Sequence, residues 1–381
     1  MHSQRLLQVA AITALTSSVF ANPIPPREPT DNIPRGSPLV TDEILLLDAP
    51  AFKSSEGDQW TASIRMFTHL RQIDSKIFST ALTTAIEALG IEIGNKASNV
   101  LERTKLFLAI PRSGIEVDLD IVGCESILTG ETSKTGLLEQ SIGIGACSGS
   151  LKQRVISGSA PGFFKDRQFE SLLFPSLPTG FGVVSDVDDT IKVSHVLDTK
   201  LKLQAALVDD HVAVDGMPEL YSKWDGELGN PAWFYLTGSP YQLYPSLRKF
   251  IFDEYPQGPM ITKNITYTDI PNLFKYIVDE DVDEILGDYK ITQLEKLRSF
   301  YPQKKFITIG DSTQADPEAY AEIARRYPDF IQCIFIRKVD GADNRFERFL
   351  SAFAGVPASK WTVFTEPSEL LRLDVANGRC N

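Results

Sequence analysis

Asp186, Asp188 and Asp189 fall within four consecutive residues of FGVVSDVDDTIKVS (181–194), directly after the apolar run 181–184. Like charges crowded at the end of a strand that should be buried repel one another unless a cation sits among them. Two other apolar runs end in comparable chemistry. AWFYL (232–236) leads into Thr237-Gly238-Ser239, and FITI (306–309) leads into Gly310-Asp311-Ser312, with Asp316 shortly after. Lys290 opens the helical pattern KITQLEKLRS (290–299) ahead of FITI. Any one Asp after a strand is usually a helix N-cap. Acids, hydroxyls and a lysine recurring at the ends of several strands are a much less ordinary coincidence.

The chemistry such a set serves is phosphoryl transfer through a covalent aspartyl-phosphate. A carboxylate attacking phosphorus splits hydrolysis into two easier steps. It also brings an anion against an anion, so a divalent cation must neutralise both. Mg²⁺ suits this role, with octahedral oxygen ligands and retained waters. Asp186, Asp311 and a backbone carbonyl near Asp188 are its candidate ligands. Asp188 follows Asp186 by two residues, so both point the same way in an extended segment. That placement suits a general acid, which protonates the leaving alcohol and later helps deprotonate water. Thr237 is positioned to donate to phosphoryl oxygens, and Lys290 to offset the negative charge that builds up in transfer.

The elements that must hold these residues follow from the texture of the chain. From about residue 176, apolar runs at 181–184, 232–236, 306–309 and 331–336 alternate with helical segments at 241–254, 290–299 and 317–326. Continuous apolar strands alternating with helices predict a parallel sheet covered on both faces, with ligands at the carboxyl ends of its strands. Residues 41–175 read differently, as a smaller β-rich α+β domain. A helix is expected over 71–89 and strands at 105–110, 115–121, 140–144 and 153–157. IEVDLDI (115–121) alternates apolar with acidic residues, the pattern of a solvated sheet face rather than a site. The whole chain, at 381 residues, is long enough for two domains.

Here a resemblance enters. DVDDT (186–190) matches the DxDxT signature of the haloacid dehalogenase-like (HAD) phosphatases. Thr237, Lys290 and GDSTQAD (310–316) fall where that superfamily has its second, third and fourth motifs. More narrowly, FGVVSDVDDTIKVSHVL, FYLTGSPYQLYPSLRKFI and FITIGDSTQADPEAYAEIARRYP resemble the App1-type phosphatidate phosphatases, over roughly 176–340. The resemblance implies an α/β, HAD-like doubly wound parallel sheet in 176–381, ending in a helical extension. It implies Asp186 as nucleophile, Asp188 as general acid/base, Thr237 and Lys290 as their catalytic partners, and Mg²⁺ held by Asp186, Asp188 and Asp311. The implied substrate is a phospholipid, phosphatidate, met at a membrane or micelle interface and converted to diacylglycerol and phosphate. Two features depart from the pattern. Thr237 stands where the narrower family more often has Ser, and the best-known members are intracellular.

This chain instead begins with an address. MHSQRLLQVAAITALTSSVFANP carries a basic Arg5, an apolar stretch to Phe20 and small-residue spacing before Ala21, the pattern of a secretory signal peptide over 1–21. Its apolar core is too short and interrupted to span a bilayer, and no later segment qualifies as a transmembrane span. Residues 22–40 are a Pro-rich linker. Export places Cys124, Cys147, Cys333 and Cys380 in an oxidising compartment. Local pairing, Cys124 with Cys147 and Cys333 with Cys380, is the expected connectivity; the alternative leaves Cys333 a buried free thiol. Asn264-Ile265-Thr266 is the one N-glycosylation sequon.

Other functions are excluded or left standing. A net charge of -12 argues against a nucleic-acid partner. Counted from Asp186, an EF-hand would need Gly at Ile191 and Glu at Leu197. No G-x-S-x-G or HExxH occurs, and His195, near the first motif, reads as structural. A secreted phosphatase for a soluble phosphomonoester remains open, as does a binding protein on an inactive phosphatase domain. For the lipid reading, the docking element is expected at TKLKLQAALV (199–208), where leucines lie beside Lys200 and Lys202; the alternative is a short cap helix packed on the sheet.

Overall fold

The structure is a computed structural model, which describes residues 40–53, 59–72, 83–84, 86–87, 90–149, 152–160, 168–265 and 282–381. The signal peptide and nearly all of the linker expected from the sequence lie outside these residues, as does Thr266 of the sequon.

The first half builds a nine-stranded sheet from β1 (Val40–Leu46), β2 (Ala49–Lys53), β3 (Trp60–Gln72), β4 (Ile110–Pro111), β5 (Asp118–Ile121), β6 (Ile127–Leu128), β7 (Leu137–Gly145), β8 (Arg154–Ser159) and β9 (Phe169–Pro175). In β5 the acids face solvent while Leu119 and Ile121 are buried with Ile44, Ile64 and Ile156. The expected strand over 105–110 does not form. Lys105–Leu108 is a 3-10 turn, with only Ile110–Pro111 extended. Adjacent Leu106 and Phe107 are both buried, which a strand with one dry face cannot achieve. Of the helix expected over 71–89, residues 71–72 close β3, and 83–84 and 86–87 are helical; the rest lies outside the described residues. Ahead of the second sheet, α1 (Ala97–Thr104) packs across towards it.

The second half is a six-stranded sheet of β10 (Phe181–Ser185), β11 (Ala232–Pro240), β12 (Met260–Lys263), β13 (Lys305–Asp311), β14 (Ile331–Arg337) and β15 (Trp361–Phe364). Its order is β12-β11-β10-β13-β14-β15, and every pair is parallel. The chain moves outward one way from β10 to β12, then the other way from β13, so the order reverses between β10 and β13. Successive strand residues feed opposite faces. Val183, Trp233, Tyr235, Ile307 and Phe335 pack against α2 (Thr199–Leu207), α3 (Met217–Glu227) and α4 (Tyr244–Glu254). Val184, Phe234, Phe306, Ile334 and Ile336 pack against α5 (Val282–Phe300), α6 (Asp316–Arg326) and α7 (Phe346–Ala352). A sheet dry on both faces requires nearly continuous apolar runs, hence FGVV, and IQCIFI with Gln332 as its one polar residue. The C-terminal part is not only helical, because β15 extends the sheet. Cys333 and Cys380 are joined, tying the chain end to β14, and Cys124 and Cys147 are joined beside β5. These are the pairings expected, and they are consistent with an oxidising compartment.

The two halves are bonded together. Arg248 on α4 donates to both carboxylate oxygens of Asp48, at 2.6 and 3.0 Å, and Asp48 N–H donates to the Tyr244 hydroxyl. Arg65 on β3 donates to Thr262 O at 2.7 Å. Among the described residues no helix is long and apolar enough to cross a membrane.

Candidate active site

The carboxyl ends of β10, β11 and β13 meet where the strand order reverses, which is where open α/β sheets bind ligands. Asp186 follows β10, Thr237 lies in the last part of β11, and Asp311 ends β13. Lys290 arrives from α5, in the middle of that helix rather than at its start as expected. All four are buried.

The structure brings Asp186, Lys290 and Asp311 together, with Asp316 from the first turn of α6. One carboxylate oxygen from each of Asp186, Asp311 and Asp316 lies within 4.8 Å of the others. Lys290 Nζ donates to Asp186 Oδ1 at 2.6 Å and also to Asp316 Oδ1. Asp186 Oδ2 is buried without a hydrogen-bond partner. Thr190 Oγ1 donates to Asp311 Oδ2 at 3.0 Å, so the last residue of DVDDT holds the acid of the neighbouring strand. Gly310 is required by space. A Cβ there would stand 2.3 Å from Asp316 Oδ2.

Asp188 is placed otherwise. Its Oδ1 accepts from Ser194 Oγ at 2.7 Å, and its Oδ2 accepts from Thr237 Oγ1 at 3.0 Å and Ser239 Oγ at 3.1 Å. Buried Lys192 lies 3.6 Å from Oδ1. The Asp188 side chain is therefore not one of the three carboxylates that gather, and Asp316 supplies the third. Three hydroxyls and an ammonium hold its carboxylate on the side of Thr237. Asp189, the last acid of the run, is a clamp. It adopts φ 58°, and its carboxylate accepts the N–H groups of Ser194, His195 and Val196 at 2.7, 2.9 and 2.6 Å. His195 is exposed; its N–H donates to Asp189 and its carbonyl accepts from Asp198 N–H at 2.9 Å.

The electrostatics separate the two catalytic-type acids. Burial drives Asp186 well above the ordinary carboxylate range; Asp316, Asp311 and Asp188 add to it, and Lys290 alone opposes. Burial and Asp316 push Asp311 up to about 7. For Asp188 burial also favours the proton, but Lys192, Ser194 and Thr237 outweigh it and hold the group below its usual range. Lys290 is disfavoured by burial, yet its two carboxylates keep it above the ordinary lysine range. Buried, mutually repelling acids with an unpartnered oxygen fit a divalent cation, because hard oxygen donors are what Mg²⁺ takes. Sequence reasoning undervalued Asp316, named Ser239 without giving it a role, and missed Lys192 and Ser194. A lysine and a serine in the otherwise apolar IKVS, directly after three acids, were the available signal.

An α/β domain with this acidic strand-end site is the class defined so far, and comparison with known proteins narrows it. Residues 181–338 match the family model for the catalytic domain of phosphatidate phosphatase APP1. Phosphatidate phosphatase APP1 of Saccharomyces cerevisiae is 32% identical over 163 residues, 42% of this chain and 26% of that protein. An uncharacterised protein of Schizosaccharomyces pombe is 26% identical over 165 residues, 42% of this chain and 25% of that protein. The chain spans about a quarter of the length of these curated relatives. It carries an APP1-type catalytic domain.

Proposed function

We propose that this chain is a secreted, Mg²⁺-dependent phosphatase of HAD-like fold that hydrolyses phosphatidate to diacylglycerol and phosphate. The observation that carries the reading is the state of Asp186. One of its oxygens is fixed by Lys290, and the other is buried and unpartnered inside a three-acid cluster. Support also comes from the APP1 match over the same residues. The reading divides the chain into a signal peptide (1–21), linker (22–40), N-terminal domain (41–175) and catalytic domain (176–381).

Asp186 and Asp311, with Asp316 beside them, would hold Mg²⁺. When bound, the ion neutralises the acids and the incoming phosphate and draws charge off phosphorus. Asp186 is the nucleophile. Its carboxylate oxygen forms a bond to phosphorus as the bond from phosphorus to the glycerol oxygen breaks, and the leaving oxygen takes a proton from Asp188. Water then attacks phosphorus, the aspartyl–phosphorus bond breaks, the water's proton goes to Asp188, and phosphate leaves. Before substrate arrives, Asp188 is ionised against Lys192 and the hydroxyls. As the phosphoryl group enters, Thr237 and Ser239 turn from Asp188 to the phosphoryl oxygens, leaving Asp188 free to take from solvent the proton it will donate. Lys290 holds Asp186 aimed throughout.

A specific observation favours a second reading, a soluble phosphomonoester. The segment expected to dock on lipid is α2, and its Leu203 and Leu207 are buried in the core, leaving Leu201 as its exposed leucine. That is the cap-helix alternative. Phosphate release from phosphatidate in mixed micelles, measured beside glycerol 3-phosphate and an aryl phosphate, separates the two. Preference for the micellar substrate supports the lipid reading, and preference for the soluble esters overturns it.

A further inference from the structure

The loop that carries Asp311 and Asp316 must hold two buried acids close together against their own repulsion. Some of its restraints are internal: Asp311 N–H donates to Asp316 Oδ2 at 3.1 Å, and Thr313 N–H and Oγ1 both donate to Asp311 Oδ1. Others reach the next strand. Ser312 N–H donates to Arg337 O at 3.0 Å, and Ser312 Oγ accepts from Val339 N–H at 3.0 Å. The far side of the loop is held by one side chain from α7, Arg348. Its Nη1 donates to Ser312 O at 2.6 Å and Asp343 O at 3.2 Å. Its Nη2 donates to Gln314 O at 2.7 Å and Glu318 Oε2 at 3.2 Å, and its Nε to Glu318 Oε1 at 3.1 Å. A guanidinium has five N–H donors in a rigid plane, and all five are used here. Glu318 lies in the first turn of α6, so the same plane fixes the loop and the helix that presents Asp316.

Resting on the metal-dependent reading above, we propose that Arg348 is a positioning residue that sets the spacing of Asp311 and Asp316 for Mg²⁺. It touches neither carboxylate. It acts through Ser312 and Gln314, the backbone between them. It also lies beyond the residues matched to the APP1 catalytic domain, which end at 338. The C-terminal part of the chain is thereby a working component of the metal site and not only a cover for the sheet. Lysine cannot replace it, because a single ammonium cannot reach two carbonyls and a carboxylate in one plane.

The test is calorimetric titration of the full chain with Mg²⁺ alone, without substrate. Arg348→Met should weaken Mg²⁺ binding at least tenfold, the scale seen when residues supporting metal ligands are removed. Arg348→Lys should not restore it. Arg345→Met is the control, since that side chain is 77% exposed and paired only with Asp343; its affinity should match the wild type. A purely structural role would lower the stability of Arg348→Met in chelator and leave its Mg²⁺ affinity within twofold of wild type, and that result overturns the inference. If Arg348→Met does not fold, Glu318→Gln decides: severalfold weaker binding supports the proposal, and unchanged binding refutes it. A wild-type chain that binds no Mg²⁺ overturns the metal reading itself, and this inference with it.

Discussion

Replacing Asp186 with Asn should abolish turnover and yet leave the metal-free protein nearly as stable as before. Deleting one member of a buried ion pair ordinarily costs about 3–5 kcal/mol, because the partner is left uncompensated. Here the partner is not left alone. Asp186 stands within 4.8 Å of both Asp311 and Asp316. At a pH where all three acids are ionised, and at an effective dielectric of about 20, each such pair of charges repels by at least roughly 3.5 kcal/mol, so two pairs amount to about 7 kcal/mol. The attraction lost is that of Lys290 at 2.6 Å, about 6 kcal/mol on the same footing. The terms cancel to within about 1 kcal/mol, and Lys290 keeps Asp316. Lys290→Met removes both attractions and leaves three acids facing one another, so it should cost at least the usual figure of about 3–5 kcal/mol.

Urea unfolding of wild type, Asp186→Asn and Lys290→Met, each in chelator and in excess Mg²⁺, reads these differences directly. Mg²⁺ at about 100 times its dissociation constant should stabilise the wild type by about 2.7 kcal/mol. Asp186→Asn should gain much less, having lost a ligand. Loss of more than about 3 kcal/mol by Asp186→Asn in chelator would show that Lys290 outweighs the repulsion, and the charge accounting above would be wrong. Equal stabilisation of both proteins by Mg²⁺ would place the ion somewhere other than on Asp186.

Three further outcomes follow from the same geometry. Asp188→Asn should lower the rate by about 10²–10⁴-fold, the usual contribution of a general acid, with Mg²⁺ affinity close to wild type because its side chain lies apart from the cluster. Gly310→Ala should destabilise by about 1–3 kcal/mol, as overpacked cores do, and weaken Mg²⁺ binding, since its Cβ would meet Asp316 Oδ2 at 2.3 Å; thermal unfolding in chelator and in Mg²⁺ checks both. Burial first, then Lys192 and Arg103, lower the His211 pKa to about 3 from the usual 6.5. Between those values the unfolded chain holds a proton there that the native chain does not, so stability rises with pH by up to about 1.4 kcal/mol per unit from this group. In His211→Phe the slope of unfolding free energy between pH 4 and 6 should differ from wild type by about one proton; identical slopes would refute the assignment.

Much of the catalytic sheet was legible because its strands are dry on both faces. FGVV, AWFYL, FITI and IQCIFI each lie within an observed strand, and their alternation between two cores explains why they are apolar apart from Thr308 and Gln332. The N-terminal sheet was less so. IEVDLDI announces its one wet face, whereas KLFLAI has the composition of a strand and folds as a 3-10 turn, because burial of Leu106 beside Phe107 is decided by what packs over them. Propensity carries no information about that neighbour. The same limit applies to α2, where leucines and lysines suit an interface and a core equally; burial of Leu203 and Leu207 chose the core.

At the site, residue types were readable and partners were not. The spacing of Asp186 and Asp188 suggested two acids pointing the same way, and in the structure the chain turns sharply enough at Asp189, with φ 58°, to give them separate surroundings. That turn is held by the run's own last acid, which accepts three successive N–H groups from the loop it closes. Two acids of the run are buried among different partners, Asp186 with Lys290 and other carboxylates, Asp188 with Lys192 and hydroxyls. Opposite surroundings push their proton affinities in opposite directions, which is how adjacent carboxylates take on different tasks. The negative charge at the end of a core strand is therefore three charges with three settlements: one against a lysine and an open oxygen, one against a second lysine, and one against the backbone.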